Sequence, residues 1–510
     1  MQKNMPFPGM AANGVLSNNM SKIKNSNYLI IIGLLILTSC ANQKSQVKQT
    51  LFVDNFMTNK NFIMFADTPP NPLIPSDLND YKDLGMNVML LTEDYTPMVD
   101  SNGQLTEAYK NSIKAIGSAG LECWIRNMYN DADYFDNSYP DKSRSNYGTP
   151  YTLSERHLTD EFKQFEAVTG FYMADEPYQL TSLPFDYNEI SSDADYTYAA
   201  MDQYDKLVDW FNQYYGQGYS WHMNHVPSSS YNHWPKNGSY ESFIKYYVDN
   251  IIKNISSFNT KTISLDRYPF ELDNTKISTS FLPDLLCGAI ATREYNKGKA
   301  DDEKANFGFC IQNFSDYVSR TNLRAPSSVE EITYQIYTGM SLGAKTYEFF
   351  LYRSIQGLNG MVNANGEKTD QYHFVKSAIE RTKDLSKVIC DFDWQNLIVC
   401  KANQEEESDN YETFDAINRM IDKTNRGKLK DIKSHFDSAV GYFNNGEYDG
   451  YLITNQLSPY ENQSNTVKLT FNDANQALVF HNGTYQWQKL LDGQLQINVG
   501  PGDGYFVIVG

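Results

Sequence analysis

Eight short apolar runs, each ending on polar or acidic residues, recur along the middle of this chain and dictate what it can fold into. They occupy residues 61–67 (NFIMFAD), 87–94 (NVMLLTED), 121–129 (LECWIRNMY), 168–176 (VTGFYMADE), 219–226 (YSWHMNHV), 260–270 (TKTISLDRYPF), 306–314 (NFGFCIQNF) and 344–352 (AKTYEFFLY). Short apolar runs bounded by turn signals read as strands buried on both faces. Between several of them lie segments of helical character. Those at 107–120 and 199–218 end on glycine, and 328–344 opens on a serine cap. Eight strand–helix units in succession predict a (β/α)8 TIM barrel over residues 55–390, closed by a helix at 373–389. Two halves of a doubly wound sheet would be the competing layout, but no GxGxxG follows the first strand. Beyond the barrel, from about Tyr451, short alternating strands separated by HNG and PGDG turns predict an antiparallel β-sandwich in residues 391–510. A charged, partly helical stretch near 404–435 reads as an insertion in that sandwich or a mobile lobe, with no role assigned.

The N-terminus reads as an address. Lys22 and Lys24 precede an apolar run over residues 28–37, which is shorter than the roughly 20 residues a membrane-spanning helix needs. The run ends in LTSC, residues 37–40, which resembles a bacterial lipobox. That resemblance implies a signal peptide over 1–39, lipid attachment to Cys40 and a polar tether over 40–54. The expected location is the bacterial cell envelope, with the periplasmic face and the cell surface of the outer membrane both left open. A formal net charge of −19 excludes a phosphate-backbone partner, so no nucleic acid is expected. After Cys40 five cysteines remain, at 123, 287, 310, 390 and 400. Their number and spacing form no disulfide framework and no zinc motif, and Cys390 and Cys400 pair only if they fall on neighbouring strands. There is no HExxH, GxSxG or P-loop. The acid-rich stretch 130–141 departs from the EF-hand ligand order and reads as a solvated loop. No cofactor or metal is expected.

In a parallel barrel the functional groups come from the C-terminal ends of the strands. Here those ends carry Asp67, then Glu93 and Asp94, then Trp124, Arg126 and Asn127, then Asp175 and Glu176. Strand five carries Trp221, His222, Asn224 and His225; strand six Asp266 and Tyr268; strand seven Gln312 and Asn313; strand eight Glu348 and Tyr352. Acids, amides and rings gathered at one mouth suit a polyhydroxylated ligand, since carboxylates and amides match hydroxyls and rings cover the apolar faces of sugars. The plainer alternatives are helix capping by Asp175 or Glu176, and a surface ion pair between Asp266 and Arg267.

The motifs FYMADEP, LDRYPF and GAKTYEFF resemble the clan A glycoside hydrolases, nearest the family 42 β-galactosidase-like and Bacteroides-type barrel lipoproteins, over residues 55–390. The resemblance implies a glycoside hydrolase with a carbohydrate substrate and makes Glu176 the general acid. The residue before that acid is usually asparagine in the clan, whereas here it is Asp175. The clan's nucleophile is a glutamate ending strand seven, where this chain has Gln312. A neutral amide forms no glycosyl intermediate, so the second carboxylate must come from elsewhere. Asp266 ranks first, two strands and about 9–10 Å of backbone from Glu176. Glu348, across the barrel, ranks second; the alternative for it is a mid-strand position paired with a buried basic group. Asp175, Trp124, Arg126, Asn127, Trp221, Asn224, His225, Tyr268, Gln312 and Tyr352 are the expected sugar-lining residues. The missing strand-seven acid also admits a barrel that binds glycans without cutting them.

Overall fold

The computed structural model describes residues 60–102, 104–126, 159–175, 218–225, 260–271, 275–316, 323–355, 357–402 and 411–510, all within the unit Thr58–Gly510. Eight strands form one parallel sheet: β1 (Ile63–Ala66), β2 (Val88–Leu91), β3 (Glu122–Arg126), β4 (Val168–Asp175), β5 (Ser220–His225), β6 (Thr260–Leu265), β7 (Ala305–Gln312) and β8 (Ala344–Phe350). Their order around the sheet is β1-β8-β7-β6-β5-β4-β3-β2, every neighbouring pair parallel. The expected barrel is therefore present.

Among the described residues, α1 (Pro75–Asp83) and α2 (Glu107–Ser118) follow β1 and β2. α3 (Phe281–Asn296), α4 (Val329–Ser341) and α5 (Asp370–Ile389) follow β6, β7 and β8. The caps obey local chemistry. The Thr106 side chain accepts from the Tyr109 N–H and the Ser328 side chain from the Glu331 N–H, each satisfying a first-turn amide that has no helical partner.

The seam between β1 and β2 is stitched by side chains. Asn87 Oδ1 accepts from the Met64 N–H at 2.8 Å, and its Nδ2 donates to the Phe62 carbonyl at 2.7 Å. Tyr81 spans the same gap, its hydroxyl accepting from the Ala66 N–H at 2.8 Å and donating to the Val88 carbonyl at 3.1 Å. Asn87→Ala orphans an N–H and a carbonyl, and at about 1–3 kcal/mol per orphaned group it is expected to cost roughly 2–6 kcal/mol in denaturant unfolding.

The C-terminal part is a two-sheet sandwich. A six-stranded sheet runs β9-β11-β12-β17-β14-β15 and a three-stranded sheet runs β10-β13-β16. The strands are β9 (Asp393–Cys400), β10 (Leu429–Ser434), β11 (Ser438–Asn444), β12 (Asp449–Asn455), β13 (Asn465–Phe471), β14 (Gln476–His481), β15 (Thr484–Lys489), β16 (Gln494–Val499) and β17 (Gly504–Val509). Period-two alternation builds its core. Val467, Leu469 and Phe471 of β13 point inward with Leu495, Ile497 and Val499 of β16, against Val440, Ile453 and Val507 of the larger sheet.

Of the charged stretch near 404–435, the structure describes residues 411–435. Residues 411–420 form helix α6, whose Met420 meets Cys287 of α3, and residues 429–434 are the first strand of the smaller sheet. Cys390 and Cys400 do not pair: the five cysteines after Cys40 are free thiols. The larger sheet's other face covers α4, which is why residues 331–341 of that helix are buried on every side. Trp394 Nε1 donates to the Ser341 carbonyl at 3.0 Å and Tyr334 donates to Gln456 at 3.1 Å across this junction. No helix among the described residues is long and apolar enough to cross a membrane.

Candidate functional site

The barrel is plugged below its mouth. Phe65, Trp124, Tyr172 and His222 pack edge to face or tilted inside it, with ring centroids 5.0 to 6.2 Å apart. Gly170 makes room for this packing, because a Cβ there would lie 2.7 Å from Trp124 Nε1. Glu348 enters the same layer from β8 and is 2% exposed. Its carboxylate accepts from the Tyr172 hydroxyl at 3.2 Å and lies 3.4 Å from His222 Nε2. The strand interior, not the rim, is therefore where Glu348 sits, among a phenol and an imidazole.

Burial, reinforced by the Arg126 charge, pushes the His222 pKa down to about 3. The folded value thus lies below the unfolded one, so the neutral imidazole's stability is complete above pH 6.5 and is lost as pH falls toward 3. Urea unfolding across that window is expected to show falling stability in the wild type and a shallower fall in His222→Gln.

Above the plug the rim divides into two parts. On one side Asp67, immediately after β1, pairs with Arg126 at the end of β3, and the Arg126 guanidinium lies 4.7 Å over the Tyr172 ring. On the other side Asp266, immediately after β6, is half-buried, and its N–H donates to the His225 carbonyl at 2.7 Å. Asp266 lies beside Tyr268, whose phenol pKa is raised by burial and then by the Asp266 charge. The Tyr268 hydroxyl also reaches Cys310 Sγ at 3.5 Å. Its ring joins Phe314 and Phe350 in an aromatic group with centroids 4.9 to 6.4 Å apart. Tyr268 and Phe350 keep part of their surface exposed. A two-residue ladder between Ser315–Asp316 and Leu358–Asn359 ties the loops after β7 and β8 together beside this group.

Between the two parts lies the end of β4. A register shift between Tyr172 and Ala174 brings Asp175 opposite Asn224 of β5. Bulges of this kind gather beside functional sites because they re-aim a strand end. Asn224 is buried and accepts from the Ser264 hydroxyl at 3.3 Å.

Other expected lining residues stand elsewhere, each for a local reason. Trp124 belongs to the plug. Trp221 alternates with His222 and so faces away from the lumen, in register with Phe171. Tyr352 is buried against Tyr81, with ring centroids 5.3 Å apart. His225 is fully buried, and burial holds its imidazole neutral. Gln312 is 0% exposed, and both ends of its amide are committed. Oε1 accepts from the Phe270 N–H at 2.9 Å, while Nε2 donates to the carbonyls of Phe270 at 3.0 Å and Arg324 at 2.7 Å. Arg267 does not pair with Asp266; its Nε meets Asp284 of α3 at 3.0 Å.

Glu176, Asn127 and Cys40 lie outside the described residues. Tyr172, His222 and the Phe314–Phe350 pair were not among the expected site residues, and strand alternation alone would have turned the first two inward. Asp67 stands at the end of the first run, where the strand-end rule applies, but the clan resemblance places its acids on strands four and seven.

No family model matches this chain, and no curated protein does. Among solved structures, a family 5 glycoside hydrolase from Bacteroides vulgatus aligns at 9% identity and a TM-score of 0.49, over 88% of this chain and 89% of its own. A GH30 endoxylanase from Clostridium papyrosolvens aligns at 9% identity and TM-score 0.41, over 88% and 96%. A β-galactosidase from Halorubrum lacusprofundi aligns at 12% identity and TM-score 0.41, over 63% of this chain and 57% of that one. Likenesses this distant carry no chemistry across, and the function rests on the residues at the mouth.

Proposed function

We propose that this chain is a glycoside hydrolase of the cell envelope, acting on an oligo- or polysaccharide. Glu176 delivers a proton to the leaving oxygen, and Asp266 is the ionised partner that attacks or activates water. The observation that carries this reading is Asp266 itself: a half-buried carboxylate at a strand end, close enough to Tyr268 to raise its phenol pKa, beside a partly exposed aromatic group. Rings and a carboxylate at one rim suit a sugar, whose C–H faces stack while its hydroxyls bond. Glu348 is less suited to the partner role, since it is buried in the plug and already accepts from Tyr172. In this reading Cys40 carries a lipid that attaches the chain to a membrane.

The test is hydrolysis of aryl glycosides and polysaccharides by the soluble form from Ala41 onward. Asp266→Asn is expected to lower kcat by about 10²-fold or more. A loss below about threefold would remove Asp266 from the mechanism. A second reading, glycan binding without cleavage, is favoured by Gln312, whose committed amide leaves strand seven without an acid.

A further inference from the structure

Three observations converge on the rim above β1 and β3. The first is the ion pair itself: Asp67 and Arg126 meet although β2 lies between their strands. The pair is nearly dry, with 8% of the Asp67 and 14% of the Arg126 side chain exposed. With little water competing for either group, the carboxylate and guanidinium hold each other in a fixed orientation.

The second observation is what lies beneath. The guanidinium rests on the Tyr172 ring, and the Tyr172 hydroxyl is tied to Glu348, so the cation's seat is anchored in the plug. The third is backbone strain. Thr68 has a φ of 49°, a conformation that β-branched residues rarely adopt. Its Oγ1 donates to the Arg353 carbonyl at 3.0 Å, and the Arg353 N–H donates back to the Thr68 carbonyl at 3.2 Å. The turn thereby aims the Thr68 N–H at Asp67 Oδ1, 2.5 Å away. Strain persists only where the surroundings over-determine it, and it gathers at ligand sites.

A buried ion pair contributes little net stability, because desolvation offsets most of its Coulomb attraction. Stability alone therefore gives weak reason for a strained turn, a stacked guanidinium and a crossing over β2 at the open end of a barrel. We infer that Asp67 and Arg126 together bind two adjacent hydroxyls of one sugar ring, Asp67 accepting their protons and Arg126 donating to their oxygens. Each hydroxyl both donates and accepts, so a vicinal diol matches a carboxylate beside a many-donor cation. This rests on reading the mouth as a glycan site, and it adds a substrate class: a sugar with two neighbouring unsubstituted hydroxyls turned toward β1 and β3. Sites built to bond a hydroxyl discriminate strongly against analogues lacking it, since a buried polar group is then left unpaired.

The test is ligand-observed NMR titration of the soluble chain with the methyl β-glycosides of galactose, glucose, mannose and xylose, followed by singly deoxygenated forms of the tightest. In the wild type, removing either member of one adjacent hydroxyl pair is expected to weaken binding about tenfold or more. In Asp67→Asn those two removals are expected to cost almost nothing further, while removals elsewhere keep their wild-type effect. Such coupling is a readout that a merely structural ion pair would not move. Arg126→Lys, expected to show the same coupling, serves if Asp67→Asn does not fold. Additive losses, or wild-type affinities in a folded variant, overturn the diol clamp alone. If the wild type binds none of the four sugars, the glycan reading falls and the clamp falls with it.

Discussion

Glu176→Gln is expected to slow hydrolysis of an unactivated glycoside by about a hundredfold or more, with little change in KM. General acid catalysis contributes typically about 10²–10⁴-fold, and an amide of the same shape keeps the contacts but has no proton to give. The loss is expected to shrink for aryl glycosides whose phenol leaves readily, because that bond breaks without protonation. A ratio that depends on the leaving group separates a proton donor from a residue that only shapes the pocket. An equal loss for good and poor leaving groups would assign Glu176 to binding.

Gln312→Glu is the second large effect, and its direction is against intuition. Restoring an acid at the end of strand seven looks like restoring a nucleophile. The Gln312 amide, however, donates to two carbonyls, those of Phe270 and Arg324, in a fully buried position. A carboxylate there faces both carbonyl oxygens with no proton to offer either. The expected cost is about 3–5 kcal/mol of unfolding free energy, the range for an uncompensated buried charge. It is expected to be partly relieved at low pH, where the protonated acid donates once. No gain in activity is expected. Denaturant unfolding at two pH values checks the first claim, and the glycoside assay checks the second.

The barrel was legible because its signals are redundant. Eight apolar runs with polar ends define eight strands even when a boundary slips, and the alternation of β13 and β16 declares the second sheet of the sandwich. The strand within 429–434 was hidden because its side chains are largely charged and solvent-facing: LKDIKS buries only Leu429 and Ser434 at its ends. The rim was legible only in part. Strand-end position makes Asp266 and Arg126 candidates, and in the structure Asp266 follows β6 directly and Arg126 ends β3. It failed for Gln312, whose partners Phe270 and Arg324 lie on loops that no periodicity connects to strand seven. It also failed for Tyr352, which follows the rim but folds back onto Tyr81. On β4 the register shift after Tyr172 resets the count of faces just before Asp175, and composition carries no trace of it.

The most direct measurement is the release of reducing ends from a panel of plant and host polysaccharides by the soluble wild-type chain. New reducing ends are expected from at least one glycan, and each of Glu176→Gln and Asp266→Asn is expected to remove them. Glycan binding by the same protein with no reducing ends released would contradict the hydrolase reading, and would make this barrel a binding protein with a committed amide where an acid would have to be.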